Sequence, residues 1–206
     1  MIEVIHYPLF IFTAVTLNLY PGPDTLYILS RSTAQGRAAG VASALGISSG
    51  CMIHTLLGAL GLAAVVMASA TAYQMIKWAG AAYLVYLGLT MMRTGSKDAS
   101  HAKPGRQASG RVYIQGVITS LLNPKVALFF MALIPQFIAP GAAHPGLSFL
   151  ALGLTFVATS TLWSLVLAVA AGALHRRLAG GSGALWLRRL GAGLLIGLGA
   201  RLAFSD

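Results

Sequence analysis

Asp24 and Lys125 are the two residues of this 206-residue chain best placed to do chemistry. Each follows a proline inside a long apolar run, Asp24 in Pro21-Gly22-Pro23-Asp24 and Lys125 in Asn123-Pro124-Lys125. A charge at the centre of a bilayer costs roughly 2.5 to 3.5 kcal/mol on insertion scales. Proline in addition removes a backbone donor and breaks the helix that holds it. Hydrocarbon offers no replacement hydrogen bonds, so such a break persists only where the freed groups line a polar cavity. One acid and one base at two breaks suit a small zwitterion, the acid for an ammonium or a proton and the base for a carboxylate. That is the chemistry of a transport site, with no covalent step and no catalytic residue.

The neighbours of the two breaks extend the candidate set. Pro21 and Pro23 leave the carbonyls of Leu17 and Leu19 without helical donors, and Pro124 does the same to Ser120. The helix breaks are therefore Pro21, Gly22, Pro23 and Pro124, and each opens a half-helix whose N-terminal amides favour a carboxylate. Asn18 and Asn123 precede the breaks and can satisfy freed backbone groups, while Tyr20, Tyr27 and Gln136 lie close enough in sequence to add hydroxyl or amide contacts. The expected substrate-binding residues are thus Asp24, Lys125, Asn123, Asn18, Tyr20, Tyr27 and Gln136. His54, on the second apolar run, is a proton-coupling candidate beside Asp24, because imidazole changes charge at a pH of about 6.5 in water. Plainer roles exist for each: Asp24 as the cap of its own half-helix, Lys125 as a structural counter-ion, His54 as a satisfied core residue. Thr155, Thr159, Ser160 and Ser164 recur at helical spacing and either face the cavity or bond across helices.

The elements that must position these residues are membrane helices. The chain is 57% hydrophobic and 9% charged, against about 25% charged in soluble domains. Runs long enough to cross hydrocarbon fall near residues 6–31, 40–69, 74–93, 112–138, 147–173 and 185–204. The expected fold is an all-α integral membrane bundle of six transmembrane helices, broken in the first and the fourth. Lys and Arg gather on alternate sides: Arg31 and Arg37, then Arg93, Lys97, Lys103, Arg106 and Arg111, then Arg176, Arg177, Arg188 and Arg189. The other side has Lys77 and Arg201. The positive-inside rule puts the basic loops in the cytoplasm and both termini outside.

Residues 94–111 form a polar linker between repeat one, 1–93, and repeat two, 112–206. Three spans per half make the halves inverted, and 23–29 overlays 124–130, which pairs Asp24 with Lys125. Gly36 and Gly40, Gly46 and Gly50, and Gly193 and Gly197 allow close helix packing, with a homodimer face as the alternative.

Other classes fit poorly. The net charge of +10 is distributed by topology, which argues against a nucleic-acid partner. The single cysteine, Cys51, cannot form the intramembrane pair of a thiol-redox carrier. Five scattered histidines make no metal cluster, and no cofactor motif is present. A membrane-embedded enzyme, or an exporter of another metabolite or a cation, is the alternative.

The motifs Pro21-Gly22-Pro23-Asp24-Thr25-Leu26-Tyr27, Gly36-Arg37-Ala38-Ala39-Gly40, Lys77-Trp78-Ala79-Gly80 and Leu122-Asn123-Pro124-Lys125-Val126, followed by Pro135-Gln136-Phe137, resemble the LysE/RhtB family of amino-acid exporters. The likeness covers nearly the whole chain. It implies a bacterial inner-membrane protein that exports amino acids against protons. Tyr20 departs from the family, where a small or polar residue often precedes the first proline. One acid and one base match a neutral zwitterion better than a cationic amino acid, since the other acids, Glu3, Asp98 and Asp206, lie at ends or in a loop.

Overall fold

The computed structural model describes residues 2–20, 22–61 and 108–178, with helical positions at 71, 78, 81–83, 85–86, 88–89, 92, 189, 192–193, 196–197 and 200. Most of the third and sixth expected spans, nearly all of the linker and Pro21 lie outside the described residues. In chain order the helices are α1 (Tyr7–Leu19), α2 (Pro23–Gln35), α3 (Arg37–Ala59), α4 (Ser109–Leu121), α5 (Pro124–Leu128) and α6 (Pro145–Leu178). After α5 the chain continues through a π-helical turn, Phe129–Leu133, and a 3-10 turn, Ile134–Phe137.

The breaks fall where the prolines require. α1 stops at Leu19, and α2 restarts with Pro23 in its first turn, where the missing N–H is no loss. α4 stops at Leu121 and α5 restarts at Pro124, and the segment Pro124–Phe137 is bent by 51° from α4. α3 and α6 are each long and apolar enough to cross a membrane, and α4 with the bent segment Pro124–Phe137 would make a third such span. α1 is apolar and shorter, and it leaves Leu9, Phe12 and Val15 exposed.

α3 is the hub. It packs on α6 and α4, while α2 packs on α3 and α6. Contact with α4 is backbone to backbone: a Cβ on Gly116 would lie 2.8 Å from the Ser43 carbonyl oxygen, and one on Gly46 would run into the Tyr113 carbonyl. An aromatic core of Phe10, Phe129, Phe130, Phe137, Phe149 and Phe156 fills the space among α1, α6 and the turns after α5. Phe129 and Phe156 are 4.4 Å apart between centroids, within the range in which aromatic pairs add to simple burial.

The N-terminal segment is stitched to the chain after the 3-10 turn. Ile5 donates to the Phe137 carbonyl and Ala139 to that of Glu3, while the Glu3 carboxylate accepts from the Ala143 amide.

One expectation is corrected. The charge count assigned Arg31 to a cytoplasmic loop, but the residue lies within α2 and is 2% exposed. Glycine at 36, with φ 88°, makes the turn into α3 and carries the loop that Arg31 does not.

Candidate functional site

Lys125 reaches from the second break to the first. Its Nζ donates to the carbonyls of Leu17, at 2.8 Å, and Tyr20, at 2.7 Å. Leu17 is a carbonyl that the first proline deprives of its helical donor, so a lysine from the other half of the chain replaces a missing backbone N–H. The ammonium also stands over the Tyr20 ring, 5.5 Å from its centroid, a cation–π distance. Gly22 makes the crossing feasible: a Cβ there would sit 3.3 Å from Lys125 Cδ and 3.4 Å from Nζ.

Asp24 lies in the first turn of α2 but does not cap it. Gly22 is the N-cap, and no side chain bonds the helix start. The Asp24 carboxylate interacts with the Asn123 side chain and the Lys125 charge, yet its Oδ1 is fully sequestered and has no hydrogen-bond partner among the described residues. A purely structural capping aspartate would spend that oxygen on an amide. Cys51 of α3 is close enough to feel both charges, and its thiol bonds Ser120 Oγ at 3.4 Å.

The second break is held differently. Asn123 Oδ1 accepts the Lys125 amide at 3.1 Å, an N-cap made by the break's own residue. The Ser120 carbonyl, freed by Pro124, accepts from the Asn123 amide at 3.1 Å and has His54 Nε2 at 3.4 Å. His54 stacks on Phe130, with centroids 5.6 Å apart. It therefore serves the break as a satisfied buried group.

The structure brings Asp24, Lys125, Asn123, Gly22 and Tyr20 to one place, with Pro23 and Pro124 opening the two half-helices. It disperses the rest. Asn18 Nδ2 bonds Thr159 Oγ1 at 3.2 Å. Both residues border a groove of about 270 Å³ together with Val15, Leu19, Leu162 and Trp163, whose indole N–H is buried without an acceptor among the described residues. Gln136 is exposed on the 3-10 turn. Tyr27 is wholly buried, donates to the Val112 carbonyl at 2.8 Å and sits under Arg31, whose guanidinium is 5.5 Å from the ring centroid.

Two residues that sequence reasoning missed, Arg31 and Gln115, are bonded through Arg31 Nη2 to Gln115 Oε1 at 2.7 Å. The available signal was spacing: Asp24, Tyr27, Arg31 and Gln35 fall at i, i+3, i+7 and i+11, one face of a helix. Among the described residues no group of His, Cys, Asp and Glu is arranged to hold a metal ion.

Comparison with known proteins gives the family of the chain. Residues 15–206 match the family model described as LysE type translocator. An uncharacterized membrane protein of Pseudomonas aeruginosa is 34% identical, covering 93% of this chain and 88% of its own length. The homoserine/homoserine lactone efflux protein of Salmonella typhimurium is 35% identical, covering 72% of this chain and 71% of its own. No solved structure matches the chain. The chain is an integral membrane protein and belongs to the family of LysE type translocators.

Proposed function

We propose that the chain exports small neutral amino acids, of the homoserine class, from the cytoplasm in exchange for protons. In this reading it sits in the bacterial inner membrane as six spans in two inverted three-helix repeats, with both termini outside. Asp24 holds the substrate ammonium and a proton in alternation. Lys125, Asn123 and the half-helix N-termini receive the carboxylate, with Tyr20 as a further contact, and Asp24 alone carries the coupling proton. A proton arriving from outside neutralises Asp24, loosens its hold on the ammonium and lets the empty carrier return.

The observation that carries this reading is the Asp24 carboxylate, sequestered between two helix breaks with an oxygen left unbonded among the described residues. A buried carboxylate in that condition is costly and is retained where something else completes it, and an ammonium or a proton does so. The homoserine class is drawn from the name of the Salmonella relative and agrees with the match of one acid and one base to one zwitterion. In everted membrane vesicles with an acidified lumen, labelled L-homoserine should accumulate against its gradient. Vesicles bearing Asp24→Asn should only equilibrate. Accumulation that ignores the pH difference, or no accumulation by the wild-type protein, overturns the reading.

A further inference from the structure

Among the described residues, five side-chain atoms are buried without a hydrogen-bond partner, and four of them belong to α2: Asp24 Oδ1, Arg31 Nε, Ser32 Oγ and Gln35 Oε1. Buried polar groups are satisfied in the great majority of cases, so their concentration on one helix is informative. Asp24, Arg31 and Gln35 share one face, at i, i+7 and i+11. At a rise of 1.5 Å per residue, Arg31 is about 10 Å along α2 from Asp24, and Gln35 a further turn beyond.

Arg31 is a buried cation without an acidic partner among the described residues. Of the described acids, Glu3 is bonded to the Ala143 amide and Asp24 interacts with Asn123 and Lys125. The bond to Gln115 and the Tyr27 ring orient the guanidinium and leave its charge uncompensated. A purely structural link between α2 and α4 needs no charge, and leaving one unpaired in the interior is strongly unfavourable. A guanidinium with a free Nε–H is shaped for a carboxylate, which it binds through parallel N–H donors. One turn further on, Gln35 Oε1 is a free acceptor, and an ammonium is a donor only.

We propose that Arg31 and Gln35 form a second amino-acid station on α2, in which the Arg31 guanidinium takes the substrate carboxylate and the Gln35 carbonyl its ammonium. The proposal rests on the exporter reading and extends it. In the orientation proposed above, the station lies on the cytoplasmic side of the Asp24 break, where an exported zwitterion is first desolvated. The substrate then moves along a single helix face, from one under-satisfied set of groups to the next.

The test is the binding of L-homoserine and L-homoserinamide, which keeps the ammonium and lacks the carboxylate, measured by thermal shift of purified full-length protein. Wild type is expected to prefer homoserine by at least about tenfold, the order expected of a hydrogen bond to a charged group. Arg31→Gln should lower that preference several-fold by weakening homoserine alone, with Lys125 at the break supplying what remains. Gln115→Glu keeps Arg31 but gives it an internal carboxylate. It should raise the melting temperature and lower the preference likewise, and it serves if Arg31→Gln fails to fold. If either variant binds both ligands with the wild-type preference, the station is overturned while the exporter reading stands. If wild type binds neither ligand, both fall together.

Discussion

The break between α1 and α2 and the break between α4 and α5 begin from the same proline chemistry and are completed by different groups. At the second break the replacement is local and neutral: Asn123 caps its own half-helix, and His54 stands by the Ser120 carbonyl. At the first break the replacement is a cation from the other half of the sequence, Lys125, lodged on two carbonyls of the α1 terminus. Beside it is an acid whose Oδ1 none of the described residues completes. A neutral cap has no reason to leave, whereas a lysine near both carbonyls and a carboxylate has two alternatives of opposite character. The difference teaches that the same proline chemistry is completed asymmetrically: on the exporter reading one break is fixed and the other is exchangeable.

The sharpest way to break that comparison is Asp24→Asn. It keeps the shape and removes the titratable charge, so gradient-driven export should fall to background. Loss of one partner from a buried charged contact, about 2 kcal/mol or more, already predicts a fall of roughly 30-fold. Export that survives unchanged would show the first break to be as inert as the second. Lys125→Met comes next. It strips the donor from the Leu17 and Tyr20 carbonyls, and hydrogen bonds to a charged group contribute about 1.5 to 3 kcal/mol each. Thermal unfolding in detergent should show a loss of at least that size, together with weaker carboxylate binding.

Asn123→Ala should cost about 1 kcal/mol of stability, the usual effect of losing an N-cap, with Asn123→Ser recovering most of it. Gly22→Ala is a finer probe of the first break. The backbone at Gly22, φ −139° and ψ −170°, is open to any residue, so the sole obstacle is the Lys125 side chain passing over it. Displacing that side chain from its rotamer costs about 0.5 to 1.5 kcal/mol, a roughly two- to tenfold loss in transport rate. The smallest effect belongs to His54→Phe, which should leave the pH dependence of export intact. Loss of coupling in His54→Phe with coupling retained in Asp24→Asn would move the exchangeable site to the second break.

What could be read in the sequence was what covalent chemistry dictates. Proline has no N–H, so both breaks and the orphaned carbonyls at Leu17 and Ser120 were legible, as was the capping role of Asn123. The partner of Lys125 was not. Its charge suggested Asp24, but a long flexible side chain is placed by three-dimensional packing, and here Gly22 lets it pass to the α1 terminus. Arg31 was misread because a positive-inside count credits any arginine near the end of an apolar run to a loop. Its spacing from Tyr27 and Asp24 on one helix face held the correction. Gln115 had no such signal, since its role exists only once α4 lies against α2.

The close approach of α3 and α4 constrains how such a bundle can move. Gly46 comes from the first half of the sequence and Gly116 from the second, and where they cross there is no room for a single methyl group. Sliding one helix past the other would drive a neighbour such as Ile47 or Val117 into the opposing backbone. The crossing is therefore a fulcrum. On the exporter reading proposed above, alternating access pivots about it, with α1, α2 and α5 swinging as levers while α3 and α4 stay clasped, so the line between the moving parts does not run between the two halves of the chain.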